Sequence, residues 1–197
     1  DIGSLKGRTM SDYSIWVLEY CAVPTLPKGV TVHGQFNAGT VKLPYCYVVV
    51  KGEGKLAMID IGFANKDQGA AFATAFGVQN WHGPKEVMGE IGVKPEDVTD
   101  IFITHAHFDH IGDTDSFPNA TFYMQERELS KWIWAMALDK KFRWFMGATD
   151  PNDIIRCVDL ARQGRLVCVD GDRKDVLPGI DLHAAHDTHT WGSMFVS

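Results

Sequence analysis

The feature that most constrains this chain is a short apolar segment that leads directly into a group of metal-binding side chains. Residues 100–104 have the composition of a strand buried on both faces. They are followed by His105, His107, Asp109 and His110. Because side chains alternate along a strand, the first two histidines can point the same way, and a turn can bring the other two residues back toward them. The pattern predicts a metal site at the end of this strand.

The side chains of this group indicate which metal it would hold. Imidazole nitrogens and a carboxylate oxygen are ligands that suit zinc. The four cysteines are scattered, without the paired spacing of a structural zinc or redox site, and are interpreted as small buried hydrophobic residues: Cys21, Cys46, Cys157 and Cys168. An open catalytic zinc site is therefore expected. The alternative, unconnected surface histidines in a polar loop, fits so dense a cluster less well.

Length and charge limit the remaining possibilities. With 197 residues, 45% of them hydrophobic, the chain is expected to form one domain spanning residues 1–197. A net charge of -6 without a basic run argues against nucleic acid as a partner. No apolar run approaches the roughly 20 residues that span a bilayer, so no membrane association and a cytoplasmic location are expected. Residues 1–6 lack a signal pattern, although a leader already removed would be compatible with a start other than Met.

The hydrophobic pattern predicts strands near both ends of the chain and helices between them. Gly52 and Gly54 are assigned to a hairpin turn, because a strand follows them where a dinucleotide-binding loop would need a helix. No regular βαβ rhythm is evident, and sheets with helices packed on the outside are expected. The predicted strands are 14–23, 45–50, 56–60, 100–104, 120–124, 166–169, 180–184 and 194–196, and the predicted helices are 65–76, 85–91, 125–138 and 152–163.

Three segments together resemble a known family. Residues 104–112, with the sequence THAHFDHIG, resemble the zinc signature of the metallo-β-lactamase superfamily. Residues 58–62 resemble the strand-end motif that precedes this zinc loop, and residues 169–193 resemble the region that supplies the next histidine ligand. The resemblance extends from about Leu43 to the C-terminus. It implies an α/β fold, a four-layer αββα sandwich with the metals at one edge of the sheets.

The same resemblance implies a set of metal ligands. It assigns His105, His107 and His189 to a first zinc ion, and Asp109 and His110 to a second. Asp109 would also orient the attacking water or carry its proton. Asp60 would stabilise the zinc loop without binding the metal directly.

The assignment of His189 depends on its motif match alone. Thr188 stands where the family usually has glycine, so the nearby His186 remains the alternative ligand. The other histidines, His33, His82 and His183, are expected to be structural or exposed.

In dinuclear members of the superfamily, a bridging aspartate and a last histidine follow the strand at 194–196. This sequence ends at Ser197. The C-terminal part of the domain is therefore expected to be supplied by a longer protein or by a second chain, in preference to a weak or absent second metal.

The resemblance implies hydrolysis by zinc-activated water without an organic cofactor. Phe108, residues 122–126 and residues 170–179 are most similar to the lactonase branch, which opens N-acyl homoserine lactones. Alternatives within the superfamily are a thioesterase and a hydrolytic dehalogenase. Nucleases fit the acidic charge less well, and the flavodiiron reductases normally carry Glu where His107 stands. The alternative of another class is a non-catalytic metal-binding assembly module.

Residues 131–138 and 142–146 are unusually aromatic. They are interpreted either as a helix face packed in the core, or in a homodimer contact, or as the wall of a substrate pocket. If these residues line a pocket, a small-molecule substrate with an apolar or aromatic part is expected.

Overall fold

The computed structural model describes residues 12–197, so the pattern considered at residues 1–6 lies outside the described part. The strands are β1 (Tyr13–Pro27), β2 (Thr40–Gly52), β3 (Lys55–Ile59), β4 (Asp100–Phe102), β5 (Thr121–Gln125), β6 (Leu166–Val169), β7 (Arg173–Leu177), β8 (Ile180–Ala184) and β9 (Met194–Val196). The α-helices are α1 (Lys28–Thr31), α2 (Asp67–Phe76), α3 (Pro84–Gly89), α4 (Phe108–Ile111), α5 (Glu126–Met136) and α6 (Pro151–Arg162). Short 3-10 helices lie at Pro95–Asp97, Thr114–Ser116 and Lys140–Met146.

The larger sheet has six strands in the order β1-β2-β3-β4-β5-β6. The first three strands pair antiparallel, and β3 to β6 pair parallel. Between β2 and β3, Glu53 and Gly54 have φ values of 50° and 70°. Positive φ at both positions is what a two-residue type I′ turn requires. The predicted hairpin is therefore confirmed.

Three sequence interpretations need correction. The four parallel strands are joined through helices, so the middle of the chain does have a βαβ arrangement, which the three-residue length of β4 obscures. Strand β7 was not predicted, because it is mostly polar and exposed at the edge of the three-stranded sheet β7-β8-β9. Cys168 is exposed and Cys46 is half-buried, whereas Cys21 and Cys157 are buried as expected.

Side chains of the central strands alternate between two hydrophobic clusters. Met58, Ile101 and Phe122 belong to the cluster that also holds buried residues of α2, α3, α5 and α6. Phe102 and Val169 belong to a second cluster, shared with β7, β8 and β9. The described residues thus form helices, a six-stranded sheet and a three-stranded sheet, which are three of the implied layers. The mixed α/β fold is confirmed.

The fold brings two distant loops to one edge of the sheets. The β4–α4 loop, residues 103–107, leaves the end of a parallel strand, and the β8–β9 loop comprises residues 185–193. The amide of Met194 donates to the carbonyl oxygen of Thr104 at 2.9 Å, which fixes the start of β9 against the β4–α4 loop. None of the helices among residues 12–197 has both the length and the apolar character needed to cross a membrane.

Candidate metal centre

Asp60 connects the end of β3 to the β4–α4 loop. It has a left-handed backbone with φ of 58°, an uncommon conformation for a residue other than glycine. Its Oδ1 accepts a hydrogen bond from the Thr104 amide, and its Oδ2 accepts one from the Thr104 hydroxyl, both at 2.7 Å. The buried carboxylate therefore fixes both the backbone and the side chain of the residue before the histidines.

These contacts also determine which nitrogens of His105 and His110 carry hydrogen. The Thr104 hydroxyl gives its single hydrogen to Asp60, so it can only accept from Nδ1 of His105, 3.0 Å away. Nδ1 of His110 lies 2.7 Å from Asp60 Oδ2 and donates to that carboxylate. In the neutral form of both rings, the Nε2 atom keeps the free lone pair that a metal ion needs.

Three histidines converge next to Asp60 and Thr104. They are His105, His107 and His189, called the histidine cluster below. One ring nitrogen from each lies within 4.8 Å of the others. Nε2 of His105 and Nδ1 of His107 are 3.1 Å apart. Tetrahedral nitrogen ligands about 2.0–2.1 Å from a zinc ion are separated by roughly 3.3 Å. The cluster therefore forms a group that can hold a divalent metal ion, and its donor atoms fit zinc.

Asp109 and His110 form a pair next to the histidine cluster. Oδ2 of Asp109 lies 3.5 Å from Nε2 of His110. The ring of His110 lies 3.9 Å from that of His105, measured between centroids. Within residues 12–197, this pair does not join a set of three or more potential ligands whose atoms all lie within 4.8 Å of one another.

Burial and mutual repulsion determine the charge of the histidines. Burial, together with the neighbouring histidines, lowers the pKa of His107 to about 4, and it depresses the pKa of His105 further. Both rings are therefore neutral at neutral pH, the form that binds metal. Burial also opposes the charged form of His110, but Asp60 outweighs it and raises the pKa of His110 to about 9. Burial raises the pKa of the Asp109 carboxyl.

The other histidines lie apart from the cluster. His186, the alternative ligand, is not part of it, and its Nδ1 atom is buried without a hydrogen-bond partner. His183 contacts the Ser197 hydroxyl at 2.8 Å and stacks on Phe195. His82 contacts Glu86, and His33 is exposed, as expected for residues outside the site.

A cavity of about 360 Å³ opens beside the histidine cluster. His107 and His189 lie on one side of it, and Trp132, Phe145 and Trp191 form an aromatic wall. The rings of Trp132 and Trp191 meet edge to face with their centroids 4.8 Å apart. The aromatic segment predicted from the sequence thus contributes to both the core and the cavity, since Trp132 is buried and also lines the pocket.

Glu128, which was not identified from the sequence, is 1% exposed and bonded to both loops of the site. The available signal was helical spacing: Glu128, Trp132 and Ala135 lie at i, i+4 and i+7 on the buried face of α5. A glutamate on the apolar face of an amphipathic helix requires hydrogen-bond partners in the fold.

Comparisons with known proteins show which family and which solved structures the chain resembles. Among solved structures, the chain is similar to a probable metal-dependent hydrolase from Staphylococcus aureus, with a TM-score of 0.66 and 17% identity over 95% of this chain and 69% of the other. It is also similar to a quorum-quenching N-acyl homoserine lactone lactonase, with a TM-score of 0.68 and 15% identity over 96% of this chain and 69% of the other. For a dizinc quorum-quenching lactonase, the TM-score is 0.66 and the identity 19%, over 95% of this chain and 68% of the other.

At these identities the structural likeness establishes the fold alone. No curated protein sequence matches the chain. The sequence model of the metallo-beta-lactamase superfamily matches residues 39–194, most of the chain. The chain therefore belongs to the metallo-beta-lactamase superfamily.

Proposed function

We propose that this protein is a zinc-dependent hydrolase that opens a lactone or a similar ester. The observation that carries the proposal is the convergence of His105, His107 and His189 at the edge of an aromatic cavity. Three protein ligands leave one position of a tetrahedral zinc site open, which is typical of catalytic sites. The absence of a cysteine from this group also distinguishes it from common structural zinc sites.

The proposed chemistry divides between the ion and the protein. A zinc ion held by the histidine cluster would polarise the substrate carbonyl and lower the pKa of water from about 16 toward roughly 7. Asp109 lies beside the cluster with a side chain that is 15% exposed. We assign its carboxylate the role of orienting the attacking water and accepting its proton. Asp60 and Thr104 hold the ligand rings in one orientation through this step.

We also assign Asp109 and His110 to a second zinc ion. Their Oδ2 and Nε2 atoms, 3.5 Å apart, are close enough to bind one ion, and His110 directs its Nδ1 toward Asp60. The dizinc lactonase of the same fold supports this assignment by analogy.

The cavity supports a substrate with an apolar or aromatic part. Trp132, Phe145 and Trp191 offer ring surfaces next to the histidine cluster. Asp187, which also lines the cavity, is paired with Arg127 at 2.6 Å, so its charge is balanced. Lactonases with the same fold make N-acyl homoserine lactones the first substrates to test.

The proposal is tested by measuring bound zinc and turnover together. The substrates are N-acyl homoserine lactones of increasing acyl length, aryl esters, a thioester and a halogenated aromatic compound. We expect lactone or ester hydrolysis that is lost on chelation and restored by zinc. Turnover of only the thioester or the halogenated compound would replace the proposal with one of those reactions. A fully zinc-loaded protein that hydrolyses none of them would support a non-catalytic metal-binding module.

A further inference from the structure

Glu128, in the first turn of α5, is a buried carboxylate with four hydrogen-bond donors. Its Oε1 accepts from the Ala106 amide at 2.8 Å and from Nε1 of Trp132 at 2.7 Å. Its Oε2 accepts from the Thr190 hydroxyl at 2.8 Å and from the Gly192 amide at 2.7 Å. Among the described residues, no lysine or arginine forms an ion pair with it. These four hydrogen bonds therefore compensate the carboxylate for the hydration that it loses on burial.

The donors belong to the two loops that carry the histidine cluster. Ala106 lies between the first two histidines of the cluster in the β4–α4 loop. Thr190 directly follows His189 in the β8–β9 loop. The two loops are distant in sequence, and one carboxylate bonds to both. Its two oxygens are divided between them, since Oε1 serves one loop and Oε2 the other.

The β8–β9 loop also lies directly against the start of α5. A Cβ atom added to Gly192 would lie 2.2 Å from the Glu128 amide nitrogen and 2.7 Å from its Cα. Only glycine allows this approach, because the obstructing atoms are backbone. The hydrogen bond from Gly192 therefore forms in a closely fitted contact that leaves the loop little freedom to shift.

We propose that Glu128 is a positioning residue that holds His189 at ligand distance from His105 and His107. The inference rests on the proposed function, because it assumes that these three rings bind one metal ion. Trp132, which lines the cavity, is bonded to the same carboxylate. Glu128 therefore contacts both the aromatic wall of the cavity and the two loops that carry the histidine cluster. A positioning residue of this kind acts on metal affinity through the geometry of the ligands it orients.

The substitution Glu128→Gln separates this role from simple space filling. The shape of the side chain is retained, but one carboxylate oxygen becomes an NH₂ group, which only donates. If the amide oxygen accepts from Ala106 and Trp132, the Gly192 amide faces another donor. If it accepts from Thr190 and Gly192, the Ala106 amide loses its acceptor. Glutamine can thus support one loop but not both.

The experiment measures zinc affinity by competition with a chromophoric chelator, and ligand geometry by the visible spectrum of the cobalt(II)-substituted protein. We expect Glu128→Gln to weaken zinc binding by about 10–100-fold and to change the cobalt spectrum. The matched control is Glu126→Gln, which makes the same change at an exposed position on the same helix and should leave both measurements unchanged. Wild-type zinc affinity and an unchanged spectrum in folded Glu128→Gln would overturn the inference.

Should Glu128→Gln fail to fold, Thr190→Val provides the same test. It removes one donor to Oε2 and leaves the Gly192 bond in place. Zinc affinity should fall about tenfold, the lower end of the range for such contacts, and Thr190→Ser, which keeps the hydroxyl, should restore it. Unchanged affinity in Thr190→Val would overturn the inference.

The test also separates this inference from the proposed function, because binding is measured without substrate. A wild-type protein that binds zinc but has no hydrolytic activity leaves the positioning role testable by affinity. Unchanged zinc affinity in the variants would overturn that role and leave the proposed hydrolase standing. A wild-type protein without zinc affinity would contradict both.

Discussion

The hydroxyl of Thr104 donates to the carboxylate of Asp60 at 2.7 Å and is thereby left with only an accepting role toward His105. This one contact determines that Nδ1 of His105 carries the hydrogen, so that the unprotonated Nε2 is the atom that lies 3.1 Å from Nδ1 of His107. A hydroxyl next to the first predicted ligand thus selects the form of the imidazole that can bind metal.

Thr104→Val tests this relationship. Valine keeps the shape of threonine but cannot bridge Asp60 and His105, so His105 loses the partner that fixes its tautomer. We expect zinc affinity to fall about 10–100-fold. The control is Thr121→Val, the same change at the first residue of β5, which should leave zinc affinity unchanged. Equal zinc affinity of Thr104→Val and the wild type would show that the hydroxyl does not orient the ligand.

Asp109→Asn tests the proposed proton acceptor. Asparagine retains the shape of the side chain but cannot accept the proton of the attacking water. Hydrolysis should slow by about 10²-fold or more, and the melting temperature should change little. Rate and melting are measured on the same preparation, with Asp115→Asn as the control because that side chain is 69% exposed. A variant with the wild-type rate would remove Asp109 from the mechanism.

Phe145→Ala tests the aromatic wall of the cavity. Phe145 lines the cavity and lies 6.1 Å from the ring of Trp191. Loss of its apolar surface should raise KM for a long-chain or aromatic substrate about tenfold and leave that of a short-chain substrate nearly unchanged. Phe142→Ala is the matched control, from the same 3-10 helix but outside the cavity wall. Equal KM changes for short and long substrates would argue against this wall as the binding surface.

Asp113 should make stability depend on pH. It is buried, and burial raises the pKa of its carboxyl from 3.8 to about 6, although the Ser116 hydroxyl and Lys66 oppose the shift. Between about pH 4 and 6, the unfolded chain loses this proton and the folded chain keeps it. The contribution of Asp113 to the free energy of unfolding should therefore fall as pH rises through that window.

Asp113→Asn removes this dependence, because asparagine stays neutral at every pH and can still accept from Ser116. Relative to the wild type, the variant should gain about 2–3 kcal/mol above pH 6 and nothing below pH 4. Denaturant unfolding at pH 4 and pH 7.5 measures the difference, with the exposed Asp159→Asn as control. A stability difference that is the same at both pH values would contradict the raised pKa.

Local features were predictable from the sequence where one segment carries the signal. The hairpin around Gly54 follows from turn chemistry between two apolar strands. The placement of His105 and His107 follows from strand alternation at the end of β4. Strand β7 was not predictable in this way, because its exposed residues Arg173, Lys174 and Asp175 have no apolar alternation.

The convergence of the site was harder to predict, since it depends on contacts between segments distant in sequence. His189 reaches the cluster because β9 pairs with β8 and is bonded to Thr104, and only the family resemblance selected it over His186. Glu128 was not identified from the sequence, because an acidic residue in the first turn of a helix is usually explained by the helix dipole. Its role depends on donors from two other loops.

Zinc content measured together with hydrolysis tests the central claim most directly. The proteins are the wild type, His107→Ala and His186→Ala. The last is the control, because it removes a nearby histidine that is not part of the cluster. We predict that the wild type and His186→Ala retain zinc and activity. His107→Ala should bind zinc at least about tenfold more weakly and lose hydrolysis. Full zinc content and full activity in His107→Ala would contradict the proposed metal centre.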